Sequence, residues 1–65
     1  MLQLIEAYEA AYEVYQKTGE SKAELIDTGY DAINAMDVEG GALLLLQGRY
    51  EELAKKIREA AAAKA

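Results

Sequence analysis

Gly40-Gly41-Ala42-Leu43-Leu44-Leu45-Leu46-Gln47-Gly48 is the stretch on which the fold turns: four consecutive leucines held between glycines. At 3.6 residues per turn, four successive side chains spread over about 300° of a helix surface, so one apolar stripe cannot hold them all. Some need cover from a second side, by another helix of the chain, an identical chain or a different partner. Downstream, Leu43, Leu46, Tyr50, Leu53, Ile57 and Ala61 recur at steps of three and four. This period predicts a third helix over about residues 38–63, with Arg49, Glu52, Lys55, Lys56 and Glu59 mostly on its polar side. Leu44 and Leu45 fall off that stripe. On this phasing Leu46→Ala or Ile57→Ala costs about 2–5 kcal/mol. A continuous helix over 38–63 would be about 39 Å long, longer than either helix before it, and Gly48 is where it can break. Asp37 is the expected cap, with Glu39 in the first turn complementing the helix dipole.

Upstream, the periods are cleaner. Met1, Ile5, Tyr8, Tyr12 and Tyr15 follow steps of four and three, widened by Leu4 and Ala11, while Gln3, Glu6, Glu9, Glu13 and Lys17 fall opposite. Gly19 supplies a C-terminal stop, so a first helix is predicted over about residues 2–17. Ser21 followed by Glu24 has the spacing of a capping box. Leu25, Ile26, Gly29, Ala32, Ile33 and Met36 then share one face of a second helix over about 22–36. Gly29 sits at the centre of that face and costs about 1 kcal/mol of helix propensity relative to alanine. A neighbour therefore needs the room, and a tyrosine of the first helix is the expected occupant. Short connections near 18–20 and 36–40 make successive helices antiparallel. The expected fold is all-α: one domain over 1–65, a small antiparallel three-helix bundle that becomes four helical segments if the third helix splits at Gly48.

Composition works mainly by exclusion. A chain of 65 residues buries only about 60% of its unfolded surface, which leaves a thin stability margin and little room for a deep pocket. Without cysteine or histidine, the chain lacks thiolate ligands and nucleophiles, the usual general base and the commonest metal ligand. The expectation is that it is not an enzyme and carries no cofactor. A net charge of −5 argues against nucleic acid or an anionic membrane, both of which select for clustered Lys and Arg. Residues 1–39 carry nine acids and two bases, and residues 40–65 three acids and five bases, which suggests pairing between an acidic first half and a basic last helix. No charged stretch leads into an apolar signal core, and no apolar run nears the roughly 20 residues of a membrane span. A soluble, unexported chain consistent with the cytoplasm is expected.

Three groups of side chains could carry chemistry. Glu6, Glu9 and Glu13 share one side of the first helix and read as a solvated face, because di-metal bundles need a Glu-x-x-His pattern. Asp31, Asp37 and Glu39 lack the spacing of a calcium loop. Tyr8, Tyr12 and Tyr15, with Tyr30 and Tyr50 elsewhere, combine large contact area with hydroxyls that need a partner. The first three read as core shell, and Tyr30, on the shoulder of its helix, as an exposed contact. Two functions follow. The first is a non-catalytic scaffold or interaction module whose Leu44, Leu45, Tyr30 and Val14 meet a protein partner or a second copy. The second is a bundle that binds a small ligand in a tyrosine-lined cavity.

Two resemblances bear on these readings. Gly41, Leu44, Gly48, Tyr50, Ile57 and Ala60 fall at spacings similar to those of a tetratricopeptide repeat, and Gly48-Arg49-Tyr50-Glu51-Glu52 looks like the turn of one. The likeness covers residues 38–61 and departs at Leu53, where that family usually has alanine. One repeat length upstream stand Ala7, Val14, Gln16, Ala23 and Ile26 rather than a second copy. The resemblance thus implies a local helical hairpin, without the concave groove of a repeat array. The phrase Glu51-Glu52-Leu53-Ala54-Lys55-Lys56-Ile57-Arg58-Glu59-Ala60, the Ser21 helix start and the Ala-Lys ending together resemble a computationally designed helical mini-protein. Such proteins are often rigid binders presenting one helix face.

Overall fold

The computed structural model describes residues 2–64, with side chains over 3–63. Met1, assigned above to the first apolar stripe, lies outside them. The described residues form four helices and no strand: α1 Leu2–Thr18, α2 Lys22–Met36, α3 Gly41–Leu46 and α4 Tyr50–Lys64.

The first two helices follow the sequence periods closely, and their ends are set by backbone geometry. α1 buries Ile5, Tyr8 and Ala11 and half-buries Tyr12 and Tyr15. It stops at Gly19, whose amide donates to the Tyr15 carbonyl at 2.8 Å. The Thr18 hydroxyl donates to the Val14 carbonyl and accepts the Glu20 amide, fixing the turn into α2. The expected Ser21-Glu24 capping box does not form. Ser21 is left-handed, φ 63° and ψ 32°, and its hydroxyl makes no cap bond; a side-chain cap needs the extended backbone that Ser21 lacks. α2 buries Leu25, Gly29, Ala32, Ile33 and Met36. Asp37, expected to cap the next helix, instead closes this one: it is left-handed (φ 54°), and the Asp37 and Val38 amides both donate to the Ile33 carbonyl. Val38 is buried in the core with Ile33, the apolar contact that often accompanies a Schellman helix end.

The third segment departs from the predicted continuous helix. Gly40, at φ 76° and ψ 2°, and the bond from the Gly41 amide to the Val38 carbonyl have the form of a type II turn, so α3 starts at Gly41 rather than 38. A methyl group on Gly41 would stand 2.7 Å from Ile33 Cγ1, which shows how closely the start of α3 lies against the end of α2. Six residues later α3 ends in a second Schellman motif. Gly48 is left-handed (φ 73°), its amide donates to the Leu45 carbonyl, and the Arg49 amide donates to the Leu44 carbonyl at 2.9 Å. Gly48 is thus the break, and the chain has four helical segments.

That break changes the direction of the last helix. Tyr50 at the start of α4 meets Tyr12 and Tyr15 late in α1, while Arg58 pairs with Glu9. α4 therefore runs antiparallel to α1 and parallel to α2, with short α3 as the return stroke between them. Each consecutive pair is antiparallel, as the short connections predict.

The break also corrects the phase of the leucines. Leu44 and Leu45 are buried, whereas Leu43 is 58% and Leu46 77% exposed. The sequence phasing ran one stripe through Gly48, but a left-handed residue there uncouples the rotation of α3 from that of α4. What sets α3 is Gly29: a Cβ at that position would lie 2.9 Å from Leu45 Cδ2 and 3.3 Å from Tyr8 Cε1. The glycine of α2 makes room for Leu45 first and for the expected tyrosine second. Leu45 and Tyr8 join Leu25, Met36, Leu53 and Ile57 in the core, where each fully buried aliphatic side chain contributes about 1.5–3 kcal/mol.

Candidate functional site

The four residues assigned to an interaction surface separate into two groups. Leu44 and Leu45 are covered by the chain's own helices and are not available to a partner. Tyr30 on α2 and Val14 on α1 are exposed, at 38% and 43%. The most exposed large apolar side chains among the described residues are Leu43 and Leu46, which the sequence phasing had placed in the core. They stand three apart on α3 and so share its outer face. A helix of six residues carries too few positions to fix its own phase by periodicity, and only the fit of Leu45 against Gly29 distinguishes inside from outside.

The tyrosines build a second feature. Tyr8 is fully buried, and its hydroxyl donates to the Tyr50 carbonyl at 2.8 Å, tying the middle of α1 to the first residue of α4. Burial pushes the Tyr8 phenol well above the usual tyrosine range, and the nearby Tyr12 and Tyr50 phenols add to the shift. The Tyr8 and Tyr12 rings are parallel with centroids 6.5 Å apart. Tyr12 is tilted 56° to Tyr50 at 6.4 Å, and Tyr15 meets Tyr50 edge-on at 81° and 5.4 Å. These rings do not enclose a cavity, because Tyr8 fills the interior. Tyr12, Tyr15 and Tyr50 instead line an open groove of about 700 Å³ between the Gly19 and Gly48 turns, rimmed by Gln16, Lys22, Arg49, Glu51 and Glu52.

Polar groups in the groove are unevenly committed. Gln16 Nε2 donates to the Tyr12 hydroxyl at 3.1 Å, and Arg49 is paired with Glu52. No described residue bonds the hydroxyls of Tyr15 and Tyr50, and Tyr50 itself belongs to the buried core while Tyr15 is half-buried against it. The period of α1 marks Tyr12 and Tyr15 as core shell, whereas nothing in the sequence assigns Gln16, Lys22 or Arg49 to a shared site. Their convergence depends on two turns packing side by side, for which no sequence period gives a signal.

The carboxylates are dispersed. Glu9 pairs with Arg58 of α4, the one ion pair among the described residues that joins the acidic half to the basic helix. Glu13 pairs with Lys17 at 2.9 Å, and that hydrogen bond and charge hold the Glu13 carboxyl below and the Lys17 ammonium above their usual ranges. Asp37 and Glu39 border a shallow surface hollow with Lys56, and Asp31 stands exposed on α2. Among the described residues no three such groups gather where they could hold a metal ion, and no helix is long and apolar enough to cross a membrane. Set against protein-family models, curated proteins and solved structures, the chain matches none of them.

Proposed function

We propose that this chain is a non-catalytic helical interaction module that presents the outer face of α3, and that the partner this face suits is a second copy. The observation that carries the reading is the exposure of Leu43 and Leu46, one turn apart on a helix with no charged residue. Their neutral setting makes the face self-compatible: a two-fold axis seats Leu43 of one copy on Leu46 of the other without opposing like charges at the seam. Two leucines supply only a small part of the roughly 800 Å² per partner of a stable interface, so the association is weak and reversible. The charge of −5 on each copy opposes it and is screened by salt. Absence of histidine and cysteine from the sequence supports the non-catalytic part of the reading. The scaffold character implied by the resemblance to designed mini-proteins is supported by helix-favouring composition and by glycines at three of the turn positions.

Sedimentation velocity over a concentration series tests this. The weight-average sedimentation coefficient should rise with protein concentration, more steeply at high salt, and stay at the monomer value for a Leu43→Lys/Leu46→Lys variant. Both positions are exposed, so the variant should keep its helical circular dichroism. A wild-type chain that stays monomeric at the highest concentrations, or a double variant that associates equally well, sinks the proposal.

A further inference from the structure

The fold-back of α4 depends on Gly48, and a glycine backbone takes either hand at little cost. Of the residues between α3 and α4, Gln47 is already right-handed (φ −83°, ψ −5°) and only Gly48 has a positive φ, 73°. Turning Gly48 to a helical conformation exchanges the two Schellman bonds one for one. The Gly48 amide passes from the Leu45 to the Leu44 carbonyl, and the Arg49 amide from the Leu44 to the Leu45 carbonyl. The Arg49 carbonyl already accepts the Leu53 amide, so α4 follows on without a gap. No proline interrupts the segment. A single helix over 41–64 is therefore open to the same chain.

On that straight helix the leucine run serves two opposite sides. At about 100° per residue, Leu43, Leu46, Tyr50, Leu53 and Ile57 fall within an arc of about 80°, and Leu44 and Leu45 point about 170° from its centre. One core holds Leu44 and Leu45 together with Leu53 and Ile57 only because α4 reverses at Gly48. When the hinge straightens, Leu45 keeps α3 seated against Gly29 of its own α2, while Tyr50, Leu53 and Ile57 are carried away from their own bundle. A surface matching the one they left exists in the vacated α4 site of a second copy. There α4 remakes between chains the Tyr8–Tyr50 hydrogen bond, the Glu9–Arg58 pair and its core packing. Leu43 and Leu46, 58% and 77% exposed in the single chain, then stand on the side turned toward the partner. Opening thus changes little beyond the hinge itself and the freedom of the second chain, so concentration favours the exchange.

We propose that two copies of this chain exchange α4 by straightening at Gly48, each α4 completing the other's bundle. The exchange shares its partner with the α3 face but not its contacts. It is also slow, because α4 has to leave its core before it crosses over. The test refolds chains from urea at millimolar concentration, separates monomer from dimer by size exclusion, and asks which copies are in contact. Wild type should give a minor dimer that persists on dilution. Gly48→Ala disfavours the left-handed hinge and favours the helical one, each by up to about tenfold; with two hinges per dimer, the dimerisation constant should rise on the order of a hundredfold. A D-alanine at position 48 should abolish the slow dimer. Wild-type and Gly48→Ala chains carrying either Glu9→Cys or Arg58→Cys, refolded as a mixture and treated with a short bismaleimide, should give covalent heterodimers; the Glu9→Cys chain alone should not. If Gly48→Ala does not fold, the comparison of wild type with the D-alanine chain decides. A dimer that forms no Glu9–Arg58 crosslink between copies, a D-alanine chain that forms the slow dimer as readily as wild type, or no slow dimer from any chain would overturn the exchange. Each of these leaves the α3-face reading standing, since that association is rapidly reversible and brings no Glu9 to an Arg58 of the partner.

Discussion

Leu45 and Leu46 are chemically identical neighbours in opposite surroundings, 5% and 77% exposed. The Leu45 methyls occupy the space that Gly29 leaves open, so truncation there removes buried atoms and leaves a void beside Tyr8. Leu45→Ala should therefore cost about 2–5 kcal/mol, a large share of the stability of a domain this small. Leu46→Ala should change stability by less than about 0.5 kcal/mol. Urea titrations of the two variants decide the matter, and similar midpoints would mean that the phase of α3 is wrong. The sequence alone assigned the large effect to Leu46, because a run of four leucines offers two nearly equivalent choices of buried pair. Their difference lies in what faces them across the fold, and that is not a local property.

At the scale of the element, most of what was legible came from period and glycine together. α1 and α2 start and end within about one residue of their predicted bounds, since each has enough turns for its apolar stripe to define a face. Capping was less legible. Ser21 and Asp37 have the side chains of N-caps but adopt left-handed backbones set by the turns they occupy, and the chemistry of a residue does not reveal its φ. Gly48 decides the largest element-scale feature, the fold-back of α4 on α3. A Cβ there would meet nothing within 4 Å, so the obstacle to a side chain is conformational and not steric. Gly48→Ala should destabilise by about 1–2 kcal/mol, the cost of holding an L-residue left-handed. A D-alanine at the same position, introduced by synthesis, should stabilise by up to about 1 kcal/mol by restricting the unfolded chain. Thermal melts of the two chains separate these cases. An L-alanine variant as stable as the D-alanine chain would mean that 41–64 can run as one helix.

Across the whole molecule, the bundle is held by convergence on one tyrosine more than by the charge asymmetry of its halves. The two halves are joined by the exposed Arg58–Glu9 pair, and such pairs contribute at most about 1 kcal/mol. Tyr8, by contrast, touches the Gly29 gap, stacks on Tyr12 and donates to the Tyr50 carbonyl, so it joins α1 to both α2 and α4. Its place in the core was legible from the stripe of α1, whereas the groove outside it was not, because that groove exists only where α4 turns back. The burial of this phenol has a consequence for pH. Its pKa in the folded chain lies above the unfolded value near 10, with desolvation as the main cause. The unfolded chain thus loses this proton first. Stability from keeping Tyr8 neutral is fully present below about pH 10 and falls as the pH rises beyond it, because ionisation favours the unfolded state. At neutral pH, Tyr8→Phe should be less stable than the wild type by about 1 kcal/mol through loss of the hydrogen bond to Tyr50. Above about pH 10 phenylalanine carries no ionisation penalty, so the gap should close and then reverse. Urea midpoints of both chains measured from neutral to strongly alkaline pH, with tyrosinate absorbance followed in parallel, test this. A gap that stays constant across the range would show that Tyr8 does not control the alkaline limit of the fold.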